Sequence, residues 1–158
     1  MENNYVQILV ESLQKKTHIL SQIIEKSQEQ YDIFQSEPVD LDGFEKYTMQ
    51  KTDLIQKLDE LDIGFEILYK RVKETLNANK SLYAKEIIKM QQMITVITDQ
   101  SVKIQAMERK NKTTIEAYFS HARKRLRASQ KTTAAASNYY KNMNRVNRVD
   151  PQILDTKK

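Results

Sequence analysis

The sequence predicts an all-α fold, an antiparallel bundle of three long helices with coiled-coil character. Three observations predict it. Glycine is scarce, with two in 158 residues against an average usage of roughly 7%, which leaves little material for hairpin turns or phosphate-cradling loops. Apolar residues recur in alternating steps of three and four over most of the chain, the spacing of one helical face. Two short polar breaks, around residues 36–40 and 77–80, divide that pattern into three.

The first helix is expected over about 3–35. Val6, Leu9, Leu13, Leu20, Ile23 and Phe34 keep a seven-residue register, reinforced by Val10, Ile24 and Tyr31. Ser36-Glu37-Pro38-Val39-Asp40 ends it, because Pro38 disfavours the α conformation at Glu37 and has no backbone N–H to donate. Asp42 followed by Glu45 resembles a capping box, which starts the second helix, about 43–77.

Four heptads of seam run through the second helix at Phe44, Tyr47, Lys51, Leu54, Leu58, Leu61, Phe65, Leu68 and Val72. Ile55, Ile67 and Leu76 widen the stripe, so more than one neighbour is expected. Gly64 costs about 1 kcal/mol in a helix interior, yet the register passes through it unchanged. Asn77-Ala78-Asn79-Lys80 is a short connection, so the third helix, about 81–127, should return antiparallel to the second.

The third seam is Tyr83, Ile87, Met90, Ile94, Ile97, Ser101, Ile104, Glu108, Asn111, Ile115, Tyr118 and Ala122. Glu108 and Asn111 either set the register of the seam or face solvent where it opens, and the solvent-facing reading is the simpler. A second helix of roughly 50 Å covers its antiparallel partner to about residue 115. Beyond that point the third helix should project, leaving Ile115, Tyr118, Phe119 and Leu126 on an incompletely buried face. Residues 1–127 form the expected bundle. Residues 128–158 change to Ser, Thr, Ala, Asn and basic residues, which predicts a flexible, partly disordered tail.

Charge is unevenly placed. The formal net charge is +5, but residues 1–102 hold 12 Lys+Arg against 17 Asp+Glu, a net of −5, and residues 103–158 hold 14 against 4, a net of +10. The steepest cluster is Arg123, Lys124, Arg125 and Arg127. It suits an acidic protein surface, nucleic acid or an anionic membrane. No nucleic-acid recognition module accompanies it, so specific nucleic-acid binding is not expected, and the macrodipole also favours cations at a helix C-terminus. Tyr118, Tyr139 and Tyr140 lie where the bundle should end and are candidate partner contacts.

Nothing in the pattern points to catalysis. His18 and His121 stand apart from partners at helical ligand spacing, there is no Cys, and no metal or phosphate-loop motif occurs. Asp40-Leu41-Asp42-Gly43 lacks the later ligands of a calcium loop. Neither a cofactor nor a metal is expected. With no basic leader at residues 1–5 and no apolar run near the roughly 18 residues of a membrane span, the expectation is a cytoplasmic protein without stable membrane insertion.

Lys51-Thr52-Asp53-Leu54-Ile55-Gln56-Lys57-Leu58-Asp59-Glu60-Leu61 and Ile104-Gln105-Ala106-Met107-Glu108-Arg109-Lys110-Asn111-Lys112 are similar to stretches of the flagellar type III export chaperones of the FlgN family. Tyr139-Tyr140-Lys141-Asn142-Met143 and residues 150–158 resemble tails of clostridial FlgN or FliT versions. The resemblance covers nearly the whole chain and implies a non-enzymatic chaperone. Such a chaperone binds hook-associated proteins, or the filament cap protein if FliT-like, prevents their early assembly and delivers them to the export gate or its ATPase. The expected surface for a partner's amphipathic helix is Ile115, Tyr118, Phe119 and Leu126, with Arg123, Lys124, Arg125 and Arg127 steering an acidic partner. Other readings are a coiled-coil adaptor of the export ATPase and a nonspecific nucleic-acid or anionic-membrane binder. A homodimer is also compatible with the seams.

Overall fold

The computed structural model describes residues 2–129, and these form three helices: α1 (Glu2–Ile33), α2 (Leu41–Ala78) and α3 (Ala84–Ser129). At 1.5 Å per residue they are about 48, 57 and 69 Å long. Side-chain bonds give the directions. Lys16 of α1 meets Asp62 of α2 while Gln30 meets Thr48, so α1 and α2 are antiparallel. Gln100 of α3 meets Thr17 and Asn111 meets Ser27, so α3 runs parallel to α1 and antiparallel to α2.

The chain topology matches the sequence expectation, but the packing differs in one respect. α1 packs along both α2 and α3, whereas no Cα of α2 comes within 8 Å of a Cα of α3 among the described residues. The close backbone pairing expected between the second and third helices is absent: α1 packs along both, and α2 and α3 meet through side chains that reach across, as at Lys51–Glu108 and at Phe44 against Ile115 and Phe119. Ile67 and Ile94, both in or beside the predicted stripes, are 61% and 51% exposed as a result.

The α1–α2 break falls where Pro38 places it, and the Glu37–Pro38 bond is cis. The cap lies earlier than the Asp42/Glu45 box predicts. Asp40 is the N-cap, its Oδ1 accepting from the Gly43 backbone N–H at 2.9 Å. A Cβ at residue 43 would meet the end of the Asp40 side chain, so a larger residue there would make that carboxylate shift. Asp42 remains favourable in the first turn, near the positive end of the dipole. At the other end the Asn79 N–H bonds to the Thr75 and Leu76 carbonyls, and the Tyr83 N–H to the Asn79 carbonyl, which turns the chain into α3.

Two apolar clusters make the core. The larger joins Val6, Leu9, Leu13, Leu20 and Ile23 of α1 to Leu54, Leu58 and Val72 of α2 and to Met90, Ile97 and Ile104 of α3. The smaller is Phe44, Ile115 and Phe119, with Ile33, Phe34, Leu41 and Tyr118 packed against it. Here the structure corrects the expectation of a projecting apolar face. Ile115 and Phe119 are 0% and 2% exposed, because α2 begins early enough to place Phe44 against them and the chain leaving α1 sets Phe34 beside Tyr118. From residue 120 to 127 no side chain of α3 is buried: Ser120, Ala122 and Leu126 are half-buried and the others exposed.

Candidate partner-binding surfaces

Between the two apolar clusters lies a polar layer drawn from all three helices. Ser27 and Gln30, Thr48 and Lys51, and Glu108 and Asn111 are all buried. The Lys51 ammonium is ion-paired to Glu108 Oε1, with both side chains 1% exposed. Gln30 Oε1 accepts from Lys51 at 2.8 Å, and Gln30 Nε2 donates to Thr48 Oγ1 at 2.7 Å and to the Phe44 carbonyl at 3.1 Å. Ser27 Oγ donates to Glu108 Oε1 at 2.9 Å, and Asn111 Nδ2 to the Ser27 carbonyl at 3.0 Å. Glu108 Oε2 has no protein partner. Of the two sequence readings of Glu108 and Asn111, the structure supports the register-setting one. Only one axial and rotational setting of the three helices lets these groups satisfy each other, and a slip would strand a buried charge.

A second polar contact crosses the larger cluster. The buried Lys16 Nζ bonds to Asp62 Oδ1 at 2.7 Å. Burial raises the Asp62 pKa above the usual carboxylate value and the nearby Asp59 charge adds to this, against the opposing pull of Lys16. Desolvation prevails over the ion pair there.

The predicted partner-binding residues divide accordingly. Ile115 and Phe119 are core, not surface, and Tyr118 is half-buried. The Tyr118 ring stands edge-to-face at 5.4 Å from both Phe34 and Phe119, and Phe34 stands likewise at 5.3 Å from Phe44. Leu126 is half-buried, while Arg123, Lys124, Arg125 and Arg127 are exposed near the end of α3. Tyr139 and Tyr140, with the rest of the tail from 130, lie outside the described residues. His18 and His121 are exposed on different helices, and among the described residues no group of three or more His, Cys, Asp or Glu side chains could hold a metal ion. No described helix is long and apolar enough to cross a membrane.

Sequence reasoning misses a concavity between the first two helices. An open groove of about 910 Å³ runs between α1 and α2, with Leu9, Ile19, Leu61, Phe65 and Leu68 among its apolar lining. Ile8, 47% exposed, forms part of one wall, and Gly64 part of the other. A Cβ at Gly64 would meet nothing within 4 Å. The sequence signal was present in the interior glycine, but helical spacing reports which face is apolar and not how far apart two helices stand. Compared with protein-family models, curated proteins and solved structures, the chain matches none.

Proposed function

We propose that this protein is a cytoplasmic flagellar export chaperone that holds an amphipathic helix of a hook-associated protein, keeps it from assembling early and delivers it to the type III export gate. The structural observation that carries the reading is the open apolar groove between α1 and α2, a shape and chemistry suited to a helix laid into it. The family resemblance of residues 51–61 and 104–112 supplies the identity of the partner. The exposed Lys124, Arg125 and Arg127 near the end of α3 would steer an acidic component of the export machinery and make that step salt-dependent. Turnover and cofactors have no part in the reading.

Co-expression with hook-associated and filament cap proteins tests it. A soluble complex that survives purification supports the chaperone, and which protein is recovered separates a FlgN-like from a FliT-like role. Failure to bind any axial flagellar protein overturns the proposal. The same exposed basic residues favour one other reading, a binder of nucleic acid or anionic membrane. Retention on DNA or acidic vesicles at about 0.15 M salt, where screening acts beyond about 8 Å, would favour that alternative.

A further inference from the structure

We propose that the buried polar layer divides the bundle into two units that open separately, and that the smaller unit, the end built from the α1–α2 turn and the C-terminal part of α3, opens while the larger stays folded. The inference goes beyond the chaperone reading and does not depend on it. The smaller unit lies across the layer from the larger cluster. It comprises residues 31–47, which span the end of α1 and the start of α2, and α3 from residue 112.

The two sides of the layer are held with unequal strength. Among the described residues the larger cluster buries fifteen apolar side chains, and the smaller buries three, Phe44, Ile115 and Phe119, with Ile33, Phe34, Leu41 and Tyr118 packed around them. Apolar burial is the dominant favourable term in folding, so much less of it is lost when the smaller unit opens. At the layer the core changes character. Lys51 and Glu108 recover their hydration when they separate, and a buried ion pair adds little net stability over its desolvation. Opening therefore reaches the layer without a large further loss, but the next step uncovers Ile23 of α1, Leu54 and Leu58 of α2 and Ile104 of α3. That step sets the inner limit of the unit. Regions with few buried apolar contacts open in this way, as contiguous units, below the global unfolding free energy.

Opening has a chemical consequence. Phe34 stands between Phe44 and Tyr118, and Phe119 stands against Tyr118, so separating α3 from the turn uncovers four aromatic rings and Ile115 together. The apolar face that helical spacing places on α3 around Ile115, Tyr118 and Phe119 is then presented by a minor, open form and not by the closed one.

Native-state hydrogen exchange of the full chain at low urea concentrations tests the division. Amides 31–33, 45–47 and 112–119 should share one opening equilibrium, populated at least about a hundredfold more than that of amides 13–23, 54–72 and 90–104. Its urea dependence should also be smaller, because less surface is exposed. Ile97→Val, in the larger cluster, weakens the closed and the partly open forms alike. It should speed exchange in the larger unit by roughly two- to tenfold and leave the smaller unit unchanged. Phe119→Leu weakens the closed form alone and should speed both units by one common factor. Equal protection and equal urea dependence in the two units would overturn the proposal, as would a residue-by-residue gradient toward the helix ends. So would an Ile97→Val variant in which both units exchange faster by the same factor.

Discussion

Removing one partner of the Lys51–Glu108 pair should cost far more than removing both. In Lys51→Met the Glu108 carboxylate stays buried with only the Ser27 hydroxyl donating to it. Leaving one charge of a buried pair uncompensated costs about 3 to 5 kcal/mol. Glu108→Leu leaves the Lys51 ammonium with only Gln30 Oε1 of these contacts and should cost a similar amount. In the double variant no charge is buried in this layer, and replacing such a pair by apolar side chains is neutral or stabilising by about 1 to 4 kcal/mol. Against that gain, Gln30 Oε1 and Ser27 Oγ lose the partners described above, at about 1 to 3 kcal/mol each if nothing replaces them. The Gln30 amide keeps its bonds to Thr48 and Phe44. Taking the middle of these ranges, the double variant should lie about 2 kcal/mol below the parent, against about 8 kcal/mol for the two single losses added together, so the coupling energy between the two sites should be at least about 3 kcal/mol. Urea unfolding followed by far-ultraviolet circular dichroism measures this. With a slope of about 2 kcal/mol per molar, a loss of about 4 kcal/mol lowers the midpoint by about 2 M. Single variants costing under about 1 kcal/mol would refute the reasoning, because the pair would then have to be solvated.

Three further outcomes follow from the packing. Phe119→Ala should lower stability by about 3 to 5 kcal/mol in the same assay, since the ring is buried against Phe44 and Ile115; a loss near zero would restore it to the surface. Gly64→Ala should raise stability by up to about 1 kcal/mol, read as a higher urea midpoint, because its Cβ meets nothing. Asp62, whose pKa is raised in the fold from 3.8, binds its proton more tightly folded than unfolded. Its contribution is most favourable below pH 3.8 and is lost as pH rises through the folded value. Asp62→Asn should therefore gain stability relative to the parent as pH rises from about 3 to 7, and an opposite trend in paired urea titrations would contradict the assignment.

Most of the architecture was legible because helix-forming sequence and seven-residue spacing are local properties. Pro38 and the 77–80 connection lie at the two breaks, and the seam residues Leu9, Leu20, Leu58 and Ile104 are buried. The polar layer was half legible. Glu108, Asn111 and Lys51 stand in the register of their helices, and Lys16, Ser27 and Gln30 occupy the same register in α1, where apolar spacing alone does not mark them as buried. A buried polar side chain declares itself only through a partner on another helix. The end of the bundle does not follow from the length of α2 alone. Phe44 sits at the very start of α2 and Phe34 follows α1, and together they close over Ile115, Tyr118 and Phe119. The groove was illegible for a related reason: α1 takes the central place, and the distances between helices depend on side chains that meet only in the folded state.

Hydrogen exchange with and without a hook-associated protein tests the central claim most directly. The account predicts added protection in residues 8–22 of α1 and 57–68 of α2 on binding, with little change at 115–119, which are already closed in the free protein. Protection confined to α3 beyond residue 113, or no change in the groove when a complex forms, would contradict it.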